Sequence, residues 1–401
     1  MWAAVVFACV LLNVASLDSR AATPDSSPDH IVVIGDIHGD FDDFTLILKR
    51  AGIVNEQSHW IAGKTTLAQP GDMVDRGPKS REVMDLIMQL QKEAADSGGR
   101  VVALLGNHEV MNIIGDLRYV SPQGYAEFAD NESEKRRQTA YQEYASWRER
   151  HGSFLAGLKQ PQLPATQDEW MAAHPPGFVE YRAAFAADGA YGKWIRTHDA
   201  VAKVGASLML HGGISPSVAS MSIDQINSQV RKELADYDKT VNELVKRKAI
   251  LPFFTIQEIA VGAQAELQSK HSDAASNPQY HDMLVRLLSF STWLCVKDDG
   301  PLWFRGYDQW TDGEGAQQLM KILANYGVEH MIVAHTVQKD SHIRGRFNGK
   351  VFLIDTGMVY KAQHGQPSAL DIQDGKFTAI YLDAQDVLLD EKSPAPAGKG
   401  N

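Results

Sequence analysis

Cysteine is nearly absent: the 401-residue chain carries only Cys9 and Cys295. The spaced cysteine sets of zinc ribbons and disulfide scaffolds are therefore excluded. Cys295 sits in the apolar stretch "STWLCV" without the Cys-x5-Arg loop that activates a phosphatase thiolate, so it is read as packed and not nucleophilic. Positive charge is also short. Lys and Arg number 39 against 50 Asp and Glu, a formal net charge of −11, which works against nucleic acid as a partner. No run of like charges is long enough for a polyelectrolyte tail.

Long apolar runs are missing too. The stretch from Trp2 to Leu12 is too short to cross a bilayer, which takes ~20 residues. Small residues follow it at Ala15, Ser16, Ala21 and Ala22, the pattern of a cleaved secretory signal. Residues 1–22 are accordingly expected to be a signal peptide. The mature protein is then periplasmic or secreted, with no stable membrane association. Cleavage removes Cys9 and leaves no intramolecular disulfide.

With 44% hydrophobic residues, the remainder can bury a sizeable core. "IVVI", "TTLAQ" and "VVALL" (101–105) read as buried strands separated by helical patterns, two successive strand–helix–strand units that imply parallel pairing. From about 118 to 200 the pattern becomes helical, aromatic and charged, which suggests an inserted cap. "AVAKVGASLML" is a strand pair, and Ile223 to Leu244 form an apolar stripe at helical spacing. Strands return at "HMIVAH" and "VFLID", then in a hairpin turning at Asp374-Gly375. Residues 23–385 are expected to form one catalytic domain, and 386–401 a disordered tail.

The informative residues stand at strand ends. "IVVI" runs into Asp36 and His38, "TTLAQ" into Asp72, Asp75 and Arg76, and "VVALL" into Asn107 and His108. "SLML" runs into His211, and "MIVA" into His335. Ligands of α/β sheets bind beyond the carboxyl ends of strands, so these groups are expected in one crevice. Carboxylate, imidazole and amide oxygen suit hard-to-borderline divalent ions. Asp36, His38, Asp72, Asn107, His211 and His335 are too many ligands for one catalytic ion but suit two, with Asp72 as the bridge. Two such ions clamp an in-line displacement at phosphorus.

In this order, "GDIHG", "GDMVDRG", "GNHE", "HGG" and "AHT" resemble the calcineurin-like metallophosphoesterases, within them the phosphoprotein phosphatase branch. "NHEVMNIIGDLRYV", the helical insert and "GPLWFRGY" resemble the Shewanella-like phosphatases of that branch. The resemblance implies a metallophosphoesterase β-sandwich: two mixed sheets flanked by helices, with an inserted helical cap. It implies that Asp36, His38 and Asp72 hold one metal, and Asp72, Asn107, His211 and His335 the other, the ions being manganese, iron or zinc. It makes His108, steadied by Asp75, the proton donor to the leaving oxygen. Arg76 and Arg305, with Asn107, grip the phosphate, and metal-bound hydroxide is the nucleophile. One departure is Leu105, where serine/threonine members usually place Arg before "GNHE".

The expected activity is phosphomonoester hydrolysis on phosphorylated protein or peptide, phosphotyrosine ahead of phosphoserine and phosphothreonine. The alternatives are a hydrolase of small phosphoesters or dinucleoside polyphosphates, and a catalytically silent metal-binding module. The presence of His108, Asp75, Arg76 and Arg305 argues against the last. Glu109 is read as structural. Asp116 and Arg118 are either site-mouth residues or a structural pair, and the remaining histidines are read as surface or packed residues.

Overall fold

The computed structural model describes residues 30–158, 163–360 and 364–393. The expected signal peptide and the last residues of the chain lie outside them.

Among the described residues, eleven strands form two sheets. The first contains β1 (His30–Val33), β2 (Thr66–Gln69), β3 (Arg100–Ala103), β9 (Ser368–Gln373), β10 (Lys376–Tyr381) and β11 (Gln385–Asp390). Its order is β11-β10-β9-β1-β2-β3. The second, in the order β4-β5-β6-β8-β7, uses β4 (Val201–Val204), β5 (Ser207–Leu210), β6 (His330–Val333), β7 (Arg344–Arg346) and β8 (Val351–Leu353). β1, β2 and β3 are parallel, as are β5, β6 and β8; the outer strands are antiparallel.

The strands read as unbroken apolar runs because both faces are covered. Ile31, Val33, Met209, Ile332, Phe352 and Leu370 share one core between the sheets. Their neighbours Val32, Leu67, Leu208, Leu210, Met331 and Val333 belong to a larger core with the helices. A parallel bridge from Leu104 to Asp199 joins the rim of the first sheet to the chain entering the second.

The two mixed sheets that the resemblance implies are present, with the parallel pairing read from the strand–helix–strand units found in β1–β2–β3 and again in β5–β6–β8. One expectation changes. The expected tail from 386 instead begins as an edge strand, because Leu388 and Leu389 still find apolar cover in the inter-sheet core. The hairpin turns at Asp374 (φ 56°) and Gly375 (φ 80°) as its sequence demands.

Among the described residues, the helix Asn107–Ile114 follows β3, and six more, from Pro122 to Ile195, form the expected cap before β4. The helices Ile223–Lys246, Ile256–Gln268 and Pro278–Leu288 lie between β5 and β6, and only the first of these was evident from periodicity. The two helical groups pack together: the Trp147 indole N–H donates to the Ala249 carbonyl at 2.7 Å. Tyr144, Trp147, Trp170 and Phe254 are fully buried at their contact.

Glu258 caps the helix Ile256–Gln268 by accepting from the Thr255 amide and hydroxyl through one oxygen. Its other oxygen is buried without a partner, 3.9 Å from the equally unpartnered Nε2 of His174. Burial lifts the Glu258 carboxyl from 4.5 to about 7. The folded chain thus holds a proton there that the unfolded chain releases, so stability falls as pH rises from about 4.5 to about 7. Glu258→Gln, which keeps the cap acceptor, should show no such loss. It should exceed the parent protein's stability by about 2–3 kcal/mol at pH 8 and by little at pH 5. Denaturant unfolding of both proteins at the two pH values checks this; the depressed titration of His174, common to both, cancels in the comparison.

Candidate metal centre

Strand ends from both sheets converge on one buried cluster. β1, β2 and β3 supply Asp36, His38, Asp72, Asn107 and His108, while β5 and β6 supply His211 and His335; all seven are buried. The backbone bends sharply to deliver them. His38, Asp72, Asp75, Arg76 and His335 all adopt positive φ, between 50° and 72°, a conformation costing non-glycine residues about 1–3 kcal/mol each. A Cβ at Gly71 (φ 98°) would overlap the Gly106 backbone, so the loops after β2 and β3 touch only because both residues are glycine.

Glu109 clasps these two loops. Its carboxylate accepts from the amides of Gly106, Asp72 and Met73, each at 2.8 Å. Burial, with the neighbouring Asp72 charge, raises it to about 7.

Asp72 is the hub. Its Oδ1 accepts from the His108 amide at 3.0 Å. Its Oδ2 lies 3.2 Å from His211 Nε2 and 3.6 Å from His38 Nε2. Burial opposes its ionisation, but the surrounding imidazoles, His211 foremost, hold the carboxyl well below its ordinary value. Asp36 shows the reverse: burial, then the charges of Asp355 and Asp72, push it well above.

Nitrogen geometry tests whether cations fit here. Nδ1 of His38 faces the Val74 carbonyl at 2.9 Å, and Nδ1 of His211 faces the Pro70 carbonyl at 3.1 Å. A carbonyl only accepts, so each Nδ1 carries a proton, and Nε2 is the nitrogen each ring has left to offer a cation. Burial drives His38 down to about 3, so its neutral form prevails. Nε2 of His38 faces Asp72 and Asp36, and Nε2 of His211 faces Asp72, Asn107 Oδ1 at 2.9 Å and Nδ1 of His335 at 3.1 Å. Nε2 of His335 is buried with no partner. Lone pairs converging on lone pairs suit divalent cations and little else.

The ligands expected for one ion, Asp36, His38 and Asp72, and for the other, Asp72, Asn107, His211 and His335, stand together in this cluster. Coordinating atoms of Asp72, His211 and His335 lie within 4.8 Å of one another, as do those of His38, Asp72 and His108. His108 is better placed for another task. Its Nδ1 meets Asp75 Oδ2 at 2.6 Å, and the guanidinium of Arg76 stands 3.3 Å from its Nε2, where a second cation is disfavoured. Burial alone would lower His108, but the Asp72 charge and the bond to Asp75 together carry it above its ordinary value.

Arg76 packs over the rings of Tyr119 (4.6 Å) and Tyr360 (5.5 Å). Arg305 reaches the rim of the site, donating to the His335 carbonyl at 2.9 Å and to the Thr336 hydroxyl at 3.0 Å. All ten residues singled out in the sequence therefore fall in this one region. Asp116 and Arg118 close on each other in a two-bonded pair.

One buried carboxylate escaped the sequence reading. Asp355 follows β8, the last strand of the second parallel set, and its charge is among those that raise Asp36. The signal was present in "VFLID": another strand ending in a carboxylate.

A family model for calcineurin-like phosphoesterases matches residues 30–339, which takes in every strand end that feeds the cluster except Asp355. The chain is a calcineurin-like phosphoesterase. As a member of that family it is a metal-dependent phosphoesterase, and its family uses two divalent ions. It is similar to Shewanella-like protein phosphatase 2 of Arabidopsis thaliana, 26% identical over 86% of this chain and 75% of that protein. It is also similar to Shewanella-like protein phosphatase 1 of Plasmodium berghei, 25% identical over 88% of this chain and 74% of that one. A cold-active protein-tyrosine phosphatase of a psychrophilic Shewanella species has the same fold, with a TM-score of 0.56 at 23% identity, covering 90% of this chain and 80% of that one.

If Asp72 serves both donor groups, its loss weakens both ions. Returning divalent metal to chelator-stripped protein at 100 times Kd should stabilise it by about 2.7 kcal/mol per site. Asp72→Asn, which keeps the acceptor for the His108 amide, should lose more than half of the total gain in thermal unfolding. An undiminished gain contradicts the shared role.

Proposed function

We propose that this phosphoesterase is a dinuclear phosphomonoesterase acting on phosphorylated protein, with phosphotyrosine ahead of phosphoserine and phosphothreonine. The observation that carries the reading is the junction of His108 and Arg76: a carboxylate-held imidazole and a guanidinium 3.3 Å apart, at the edge of the ligand cluster. A phosphate bound there meets a proton donor and a cation together. When bound, two divalent ions at the cluster supply Lewis acidity and acidify a water for in-line attack.

The chain's own residues do the rest. Arg76 and Arg305 bring local positive charge into a protein of net −11. Asp75 accepts from Nδ1–H of His108 and favours its protonated ring, so that the second proton, on Nε2, faces the leaving oxygen. Tyr119 supports an aryl substrate: 39% exposed, its ring lies 5.1 Å from the His108 ring and stacks on Arg76. The names of the relatives point the same way, to protein phosphatases and a tyrosine phosphatase. The apolar segment from Trp2 to Leu12 with its small-residue sequel supports export, which an N-terminus between Ser16 and Thr23 in secreted protein would verify and an intact Met1 would contradict.

The test is a substrate panel on metal-defined enzyme: phosphotyrosine and phosphoserine peptides, a phosphodiester and a dinucleoside polyphosphate. Phosphotyrosine peptide should be hydrolysed fastest. Preference for the dinucleotide would replace the protein-phosphatase reading. His108→Asn should retain its metal yet lose about 10²–10⁴-fold in kcat on phosphoserine, and less on an activated aryl phosphate. An equal loss on both removes His108 as the proton donor.

A further inference from the structure

Asp75 has a second side-chain partner besides His108. The Asn112 amide donates from Nδ2 to Asp75 Oδ1 at 2.9 Å and, from the same nitrogen, to the His108 carbonyl at 2.9 Å. Both partners are acceptors only, so the amide nitrogen must face them and the oxygen must face away. There the oxygen meets the hydroxyl of Tyr181, which donates to it at 2.6 Å. Asn112 and Tyr181 are fully buried.

Tyr181 belongs to the helix Phe178–Phe185 of the cap, whereas Asn112 belongs to the helix Asn107–Ile114 that carries Asn107 and His108. The cap grips the same helix elsewhere. Arg182 donates to the Asn112 carbonyl at 3.1 Å, and from the second helical group the Tyr237 hydroxyl donates to the Ile114 carbonyl at 2.8 Å. Burial keeps the Tyr181 phenol well above its ordinary value, hence a donor. Phe128 and Phe185 pack against its ring at 4.9 and 4.6 Å.

We propose that Asn112 and Tyr181 are positioning residues for His108: the cap tyrosine fixes the orientation of the Asn112 amide, which fixes the Asp75 carboxylate, which aims the imidazole. Neither touches substrate. The inference rests on His108 as the proton donor and adds that the cap, through one hydroxyl, completes the acid. Without Asn112, one oxygen of a fully buried carboxylate has no partner, and Asp75 can turn away from Nδ1.

The experiment compares kcat on a phosphoserine peptide with kcat on p-nitrophenyl phosphate. Asn112→Leu should lower kcat on phosphoserine by about 10–100-fold, a part of the whole general-acid contribution of about 10²–10⁴-fold. It should lower kcat on the activated ester several-fold less, with KM little changed. Introduced into His108→Asn, it should cause no further loss, since a residue that acts only through His108 has nothing left to position. Tyr181→Phe, which keeps the packed ring, should show the same selectivity at about three- to tenfold, the loss of one hydrogen bond; it carries the test alone if Asn112→Leu does not fold. Equal losses on both esters, or an undiminished loss in the His108→Asn background, overturn the proposal. If His108→Asn itself lacks leaving-group dependence, the acid assignment falls and takes the proposal with it. If His108→Asn shows the dependence and the Asn112 and Tyr181 variants do not, only the proposal falls.

Discussion

A carboxylate buried among imidazoles organises this protein. Asp72 sits in a strained left-handed turn, its amide held by Glu109, one oxygen by the His108 amide, and the other facing His211 and His38. An ionised carboxylate so deeply buried persists only with compensating positive charge. Divalent cations, of which its family uses two, would supply it. Two sheets surround Asp72: β1 and β3 bring groups from its own sheet, and β5 and β6 bring His211 and His335 from the other.

Charge explains the rest of the site's layout. A protein with an excess of acidic groups repels a phosphate dianion at long range. Cationic groups stand where the proposed function seats the phosphate, with Arg76 stacked on Tyr119 and Tyr360 and Arg305 tethered to the rim. The aromatic packing restrains the Arg76 guanidinium without neutralising it, and no acidic residue forms an ion pair with Arg76 or Arg305 among the described residues. Burial of His108 and its bond to Asp75 hold the imidazole beside Arg76, the arrangement that the proposed proton donor and phosphate anchor require.

How much of this was legible in the sequence depended on range. The strand ends were readable because each pairs an apolar run with a polar residue a few positions later, a local signal repeated at Asp36, Asp72, Asn107, His211 and His335. The hairpin at Asp374-Gly375 was readable for the same reason. Long-range pairing was not. The partition into two sheets rests on β9 returning beside β1, which no local pattern encodes and which entered only through the family resemblance. The edge strand β11 was hidden by a polar composition that follows from its exposure. Asp355 was missed although its strand had been recognised. Nothing local marked Asn112 or Tyr181, sixty-nine residues apart, because their meaning lies in the contact between cap and core.

The central claim is a dinuclear centre built around Asp72. Anomalous diffraction from crystals equilibrated with manganese measures it directly. The account predicts two manganese peaks, both coordinated by the Asp72 carboxylate, one also by Asp36 and His38 and the other by Asn107, His211 and His335. A single peak at saturating metal, or two peaks that share no ligand, would contradict it.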